Sequence, residues 1–190
     1  MKLWEIISFF QYGDLPTSYF KKRGMKIGKN FNRQSGTRLD PSHCWLISIG
    51  DDVTLSNKVQ ILAHDDTPRI YTGYGRVAPV KIGNRVFIGA NTTVLMGSKI
   101  GDDVIIGAGS VVTGTIPAGS VAVGVPAKVI GKTEDYIKRE KERIENGLTF
   151  DKSYTYQKKV TAEKKAEMLK ALEQNEGPGY LEIGYFNSEK

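Results

Sequence analysis

Aliphatic side chains recur at every sixth position along much of the chain, at Ile49, Leu55, Ile61, Ile82, Ile88, Val94, Ile100, Ile106 and Val112. Small or β-branched residues stand four places after each of the last six, and glycine follows directly at positions 50, 83, 89, 101 and 107. At about 100° per residue, a step of six would scatter the aliphatic side chains around a helix. In a strand they share one face, because side chains alternate with a period of two. The pattern therefore predicts short strands.

Regular hexads of this kind predict a chain that coils around a polygonal core. Three hexads per coil give a triangular prism whose successive coils lie about 4.8 Å apart, the spacing of paired strands. We interpret the glycines as residues that permit the turns between strands. A meander of ordinary short strands is the alternative, which the constant phase disfavours. The general rule for parallel crossovers favours a right-handed coil.

Residues 49–66 and 80–132 resemble the hexapeptide-repeat acyltransferases, and in particular the maltose, galactoside, capsular and lipopolysaccharide O-acetyltransferases. The resemblance is carried by "IGNRVFIGANTTVLMGSKIGDDVIIGAGSVVTGTIPAGSVAVGVPAKVI" and above all by its closing "VAVGVPAKVI". It implies an all-β core folded as a left-handed parallel β-helix. A weaker echo in "MKIGKNFNRQSG" places the first coil near Ile27.

We expect three regions: an N-terminal helical segment (1–26), a β-helix acyltransferase domain (27–132) with a loop at 62–81, and a C-terminal helical tail (133–190). The first segment predicts a short helix with an apolar side formed by Leu3, Trp4, Ile7 and Phe10. It packs on the first coil or on a neighbouring chain. Attachment to a membrane surface is the alternative, disfavoured by the lack of several basic residues on its polar face. In the tail we expect two helices, capped by Thr133 and Thr161. We expect "GYLEIGYF" to add a last strand or to dock on a neighbouring chain.

The net charge of the 190-residue chain is +6, and the basic excess lies in the repeating part. Residues 1–132 hold 16 Lys and Arg against 9 Asp and Glu, and the remainder holds 11 against 12. Such an excess suits a polyanionic cofactor, an anionic membrane surface or nucleic acid, of which nucleic acid is least favoured because aromatic residues do not interleave with a basic cluster. The single cysteine, Cys44, excludes an internal disulfide and suits a cytoplasmic location.

The hexad pattern breaks between Ile61 and Ile82, which are twenty-one positions apart, three more than a coil of eighteen. We expect the spare residues to leave the prism as a loop, and functional groups favour such excursions. The resemblance places the family's catalytic histidine in this loop, at "AHDD", which makes His64 the candidate. A solvated loop histidine is the alternative. His43, the second histidine, lies outside the best-matching region.

A neutral imidazole, with a pKa ordinarily near 6.5, can take the proton of an acceptor hydroxyl and return it to a departing thiolate. No covalent intermediate is needed. Asp65 or Asp66 holds the imidazole in the required tautomer, or else binds the acceptor. Tyr71 and Tyr74 are candidates to stack on a sugar ring.

The resemblance also implies a set of residues that bind acetyl-CoA. The backbone N–H near Ala90 takes the position of the oxyanion donor. Ala108 and Thr113 match positions along the pantetheine arm. The alternative is that they are ordinary residues of the repeat without a role in binding. Lys128 and Lys132 match basic positions near the nucleotide phosphates, whereas Gly114 stands where many relatives carry a lysine.

The function expected from the sequence is transfer of an acetyl group from acetyl-CoA to a saccharide hydroxyl by a homotrimer with active sites between chains. The alternatives are N-acetylation of an amino sugar, acetylation of an antibiotic or an amino acid, and a non-catalytic binding protein. Zinc carbonic anhydrases of a related β-helix group need three imidazoles at the metal, and the chain has two histidines. We therefore expect no metal requirement.

Overall fold

The computed structural model describes residues 14–184 and divides into two compact units between Thr133 and Glu134. In the first unit, short strands follow one another in successive coils. The strands are β1 (Lys26–Ile27), β2 (Asn32–Arg33) and β3 (Arg38–Leu39) in the first coil, β4 (Ile47–Ile49), β5 (Thr54–Leu55) and β6 (Gln60–Ile61) in the second, β7 (His64–Asp65) and β8 (Arg76–Val77) in a loop, β9 (Val80–Ile82), β10 (Phe87–Ile88) and β11 (Thr93–Val94) in the third, β12 (Lys99–Ile100), β13 (Ile105–Ile106) and β14 (Val111–Val112) in the fourth, then β15 (Thr115–Ile116), β16 (Ser120–Gly124) and β17 (Ala127–Lys132).

Each coil contributes one strand to each of three sheets, and the strands within a sheet run parallel except for the closing strand. The first sheet is β1-β4-β9-β12-β15, the second is β2-β5-β10-β13-β16 followed by antiparallel β17, and the third is β3-β6-β11-β14. This three-sided parallel coil agrees with the hexad prediction. The closing "VGVPAKVI" forms the end of β16, the turn that follows and most of β17.

The hexad aliphatic residues line the inside of this coil. Ile49 is paired with Ile82 and Leu55 with Ile88 in adjacent strands, so equivalent side chains stack in columns. All nine of the aliphatic positions that define the repeat are buried. Removal of this apolar area from water is the main stabilising term for the coil, at roughly 25 cal/mol per Å².

The glycines of the repeat have a different role from the one expected of them. None of the five has a φ in the left-handed region. The left-handed corner residue stands two places later, and it is most often polar, as at Asp52, Arg85 and Asn91. A Cβ at Gly89 would lie 2.4 Å from the Ala108 nitrogen of the next coil. The repeat needs glycine there because the backbone of the next coil leaves no room for a side chain.

We expect Gly89→Ala to lower the free energy of unfolding by about 1–3 kcal/mol, because the added methyl group meets backbone that cannot move without separating two coils. Gly131→Ala is the matched control, since its Cβ would meet nothing within 4 Å and its φ is not left-handed. Denaturant unfolding of both variants tests this. Equal stability of the two variants would contradict the steric explanation.

Two excursions leave the coil at one corner, the one where the chain passes from the third sheet to the first. In the first coil, Leu39 and Ile49 are ten positions apart instead of six, and the extra residues include a 3-10 turn (Cys44–Leu46). In the second coil, β9 follows β6 at this corner and pairs with β4. Fifteen residues beyond the usual six therefore leave between Ile61 and Ile82, and the interpretation as one coil plus three residues is wrong.

The large excursion is an antiparallel pair, β7 with β8, that carries a short helix, α2 (Arg69–Thr72), between its strands. Ahead of the first coil, helix α1 (Thr17–Lys22) buries Phe20 in the core. The apolar N-terminal helix expected from Leu3 to Phe10 lies outside the described residues. In the span from residue 14 to residue 184, no helix has both the length and the apolar character of a membrane span.

After β17 the chain forms helices α3 (Thr133–Asn146) and α4 (Ala162–Glu173), strands β18 (Thr149–Phe150) and β19 (Tyr180–Leu181), and 3-10 turns at Lys152–Tyr154 and Tyr156–Lys158, all of them in the second unit apart from Thr133. Thr161 caps α4 by accepting a hydrogen bond from the Lys164 N–H, as predicted. Thr133 is not the cap residue expected at α3, since it lies inside the helix and its hydroxyl donates to the Asp103 carbonyl at 2.7 Å. The end of the tail adds a strand, because β19 pairs with β18.

Candidate active site

His64 lies where the large excursion begins, and its imidazole contacts a buried carboxylate from the coil before it. The distance from His64 Nδ1 to Asp40 Oδ2 is 2.5 Å. Asp40 follows β3, and Leu39 of that strand is paired with Ile61 of β6. The stacking of one coil on the next thus brings together two residues that are 24 positions apart.

Asp40 is a fixed acceptor at the centre of the two excursions. Its side chain is fully buried, and it accepts hydrogen bonds from the backbone N–H groups of Ser42, His43 and Ala63 at 2.9 to 3.0 Å, in addition to His64. Burial opposes the charged form, but the hydrogen bonds from His64, Ala63 and His43 outweigh it, and the pKa of Asp40 lies below its ordinary value. The carboxylate is therefore ionised at neutral pH.

The carboxylate of Asp40 determines the tautomer and the basicity of His64. The hydrogen bond to Asp40 raises the pKa of His64 above 6.5, against partial desolvation, and the negative charges of Asp40, Asp66 and Asp65 act in the same direction. With the Nδ1 proton donated to Asp40, the lone pair of neutral His64 is on Nε2. The side chain remains 29% exposed, so a substrate can reach it. This is the arrangement of an oriented general base.

Asp40 replaces the partners that the sequence suggested for His64, because the neighbouring acids have partners of their own. Asp65 accepts from the Thr67 N–H at 2.8 Å and pairs with Arg76 across the β7–β8 pair, and these contacts lower its pKa to about 2, with the Thr67 hydroxyl as the largest cause. Asp66 is exposed and lies 3.8 Å from Arg69. The expectation that Asp65 or Asp66 orients the imidazole is wrong, and acceptor binding by either remains a prediction.

His43 belongs to the same site, although the sequence did not single it out. Its ring centroid lies 5.1 Å from that of His64 and 5.3 Å from that of Trp45. The Nδ1 atom of His43 is buried and has no hydrogen-bond partner among the described residues. The break in phase between Leu39 and Ile49, at the corner that also carries the large excursion, is the signal that could have identified this segment.

Asp40, His43 and His64 are also the residues that could hold a metal ion, with one candidate ligand atom from each lying within 4.8 Å of the others. Two ligands of a tetrahedral zinc ion, at about 2.0–2.1 Å from the metal, lie roughly 3.3 Å apart. The 2.5 Å between Asp40 Oδ2 and His64 Nδ1 is too short for these two atoms to bind one zinc ion together and fits a hydrogen bond. The contact between these two atoms thus favours acid–base chemistry.

The residues expected to bind the cofactor occupy two different corners of the coil. Ala90 and Ala108 follow β10 and β13, at the corner between the second and third sheets. Thr113 follows β14, at the corner that also carries His64, and is exposed. Lys128 and Lys132 lie on β17 and are exposed as well. Tyr71 and Tyr74 are exposed in the large excursion, and their rings make no contact with His64 in the described part of the chain.

The N–H of Ala90 differs from the corresponding N–H of Asn84, at another corner of the same coil. At the corner between the first and second sheets, the corresponding N–H of Asn84 donates to the side chain of Asp102 in the next coil, at 2.7 Å. The residue one coil beyond Ala90 is Ala108, which offers no side-chain acceptor. Within residues 14–184, the Ala90 N–H has no acceptor, so it is available to a ligand.

Residues 79–114 match the family model described as "Bacterial transferase hexapeptide (six repeats)". The chain is 35% identical to "Putative acetyltransferase YvoF" of Bacillus subtilis (strain 168) over 121 residues, which cover 64% of this chain and 68% of that protein. It is 33% identical to the galactoside O-acetyltransferase of Escherichia coli (strain K12), covering 67% of this chain and only 59% of the relative. A galactoside acetyltransferase solved in complex with coenzyme A has a TM-score of 0.51 at 26% identity, over 72% of this chain and 82% of the other.

Proposed function

Because the chain belongs to the bacterial hexapeptide-repeat acyltransferases, we propose that it transfers an acetyl group from acetyl-CoA to a hydroxyl of a saccharide or sugar-containing acceptor. The observation that carries this proposal is the pair formed by His64 and the buried Asp40. The names of its O-acetyltransferase relatives support the oxygen acceptor. The left hand of the coil is part of the same proposal and rests on family membership.

His64 acts as the base in the proposed mechanism. Its Nε2 removes the proton of the acceptor hydroxyl as the oxygen forms a bond to the thioester carbonyl carbon, and Asp40 stabilises the imidazolium that results. The free N–H of Ala90 donates to the oxygen that becomes negative. When the carbon–sulfur bond breaks, His64 returns the proton to the thiolate of coenzyme A. Ala108, without a long side chain, leaves space for the pantetheine arm.

Release of free thiol from acetyl-CoA in the presence of neutral saccharides or nucleotide sugars tests the function. We expect the acetyl group to appear on oxygen, as an ester that mild alkali removes. Transfer to the amine of glucosamine, without transfer to neutral sugars, would overturn the oxygen acceptor. No thiol release with any acceptor, together with no binding of coenzyme A, would favour a binding protein.

The proposed site lies between chains of a homotrimer. In one chain, His64 and the Ala90 N–H are at different corners of the coil, so a single chain does not bring base and oxyanion donor to one edge. A neighbouring chain supplies the second wall of the site when its corner between the second and third sheets, which carries Ala90, faces the corner of the first chain that carries His64. Cyclic symmetry repeats this contact three times.

We expect light scattering to give roughly three times the chain mass of 21.0 kDa. Mixing chains that carry His64→Ala with chains that carry Lys128→Ala should restore part of the activity. In a mixed trimer, some sites would combine His64 from the second variant with Lys128 from the first. A fully active monomer would contradict the site between chains.

We expect coenzyme A to bind more weakly as the salt concentration rises, because phosphate groups pair with Lys128, Lys132 and the basic excess of the coil. Calorimetry at 0.05 and about 0.3 M salt measures the effect. Lys128→Ala should reduce both the affinity and its salt dependence, whereas Lys170→Ala, at an exposed position on α4, should change neither. Equal salt dependence in the wild type and Lys128→Ala would remove Lys128 from the phosphate site.

A further inference from the structure

Three rings form a row that starts at the base and ends at an exposed tryptophan. His43 lies between the two others, with centroid distances of 5.1 Å to His64 and 5.3 Å to Trp45, and with tilts of 44° and 52°. Trp45 is 51% exposed, although it occupies a turn whose neighbours, Cys44 and Leu46, pack into the core. The fold of this chain therefore leaves a large apolar surface exposed directly beside the site.

The turn that carries Trp45 is held from several sides. Cys44 is fully buried, with its Sγ atom 3.7 Å from the Arg23 carbonyl oxygen, and Asp40 accepts the N–H of His43 at 3.0 Å. A Cβ at Gly24 would lie 3.2 Å from the Trp45 Cβ, so the backbone at Gly24 passes close to the base of the Trp45 side chain. Ordering of this surface on binding costs little, because the backbone is already fixed.

We propose that Trp45 and His43 form the subsite on which a pyranose ring of the acceptor stacks, so that its hydroxyl reaches Nε2 of His64. This proposal rests on the proposed function. One face of a pyranose ring is largely C–H, and its contact with an indole removes apolar surface from water on both sides. Because the row continues from Trp45 through His43 to His64 in steps of 5.3 and 5.1 Å, an acceptor that covers Trp45 and His43 extends to the base with its substituents or its next sugar.

The tyrosines of the large excursion are less suited to this role. Tyr71 and Tyr74 are 85% and 78% exposed, and neither ring joins the row within the described residues. Their segment is a four-residue helix and its C-cap turn, without a buried side chain. Trp45, by contrast, lies in the row of rings that reaches His64 through His43. The turn that carries it is fixed by the hydrogen bond from the His43 N–H to Asp40. The two sites make different predictions, which mutagenesis can separate.

Kinetics with maltose and with a methyl galactoside as acceptors tests the subsite. We expect Trp45→Ala to raise the acceptor KM by about tenfold or more, with kcat reduced by less than about threefold and the affinity for coenzyme A unchanged. Trp45→Phe should lie between alanine and the wild type, because a smaller ring keeps part of the contact. Tyr156→Ala, which removes a 91% exposed ring from the second unit, is the matched control and should leave all constants unchanged.

Fluorescence gives a measurement that does not depend on turnover. The chain has two tryptophans, so Trp4→Phe leaves Trp45 as the only one. Saturable changes in its emission on addition of either saccharide would support the subsite, and the same titration of a Trp4→Phe, Trp45→Phe chain is the blank.

The outcomes distinguish the subsite from the proposed function. Normal transfer by the wild type together with an unchanged acceptor KM in Trp45→Ala would overturn the subsite and leave the transferase. A raised KM in Tyr71→Ala or Tyr74→Ala, but not in Trp45→Ala, would move the acceptor to the large excursion and also overturn it. Absence of transfer and of any fluorescence change would overturn both proposals.

Discussion

His64→Ala should lower acetyl transfer by about 10²–10⁴-fold and leave the affinity for coenzyme A nearly unchanged. The loss is expected because His64 acts on the proton of the acceptor hydroxyl and on that of the departing thiol, whereas it holds no part of the cofactor. Removal of the imidazole also leaves the buried carboxylate of Asp40 without its side-chain partner, although three backbone N–H groups still donate to it.

Single-turnover rates and calorimetry of coenzyme A binding measure the two quantities separately. Thermal unfolding of the same protein establishes that the coil is intact. Tyr156→Ala serves as the control for handling, since its ring is exposed in the second unit. A rate within a few-fold of the wild type would exclude His64 as the base.

Asp40→Asn should lower the rate on the order of 10²-fold or more, because the amide cannot replace the carboxylate on both sides. Asp40 Oδ2 accepts from the His64 Nδ1 and the Ala63 N–H together. An asparagine that turns its NH₂ group towards His64 forces Nδ1 to accept and places the proton on Nε2, where the base needs a lone pair. The same NH₂ group faces the Ala63 N–H, which leaves a buried donor unsatisfied and costs about 1–3 kcal/mol of stability.

The pH dependence of the residual activity separates this role from a purely structural one. His64 acts as a base only when neutral, so the hydrogen bond that it donates to Asp40, which raises the pKa of His64, moves the acidic limb of kcat/KM above 6.5. Without that carboxylate, the limb should move to lower pH in Asp40→Asn. Asp103→Asn, at an exposed ion pair with Arg85, is the matched control and should keep both the rate and the limb. An unmoved limb in Asp40→Asn would contradict the orientation of His64 by Asp40.

The strands, the core and the place of the loop could be predicted from the sequence because they depend on spacing along the chain. A period of six returns the aliphatic side chain to the inner face in every hexad, and every aliphatic residue of that phase is buried. The break after Ile61 predicted an excursion for the same reason, and His64 lies in it. The glycines show the limit of such local reasoning. The chain needs glycine at these positions because the backbone of the next coil leaves no room for a Cβ, as Ala108 does at Gly89.

The constellation around His64 was decided only by the tertiary structure. Asp65 and Asp66 are its neighbours in sequence, yet alternating side chains in β7 and a hydrogen-bonded turn direct them to Arg76, Thr67 and Arg69. Asp40 reaches the imidazole because the first coil stacks directly on the second. This stacking brings together two residues that are 24 positions apart in the sequence. By itself, the sequence determined the repeat, the buried face and the excursion with its histidine. The stacking of coils decided which carboxylate, which second imidazole and which aromatic ring meet there, because two insertions leave the coil at the same corner.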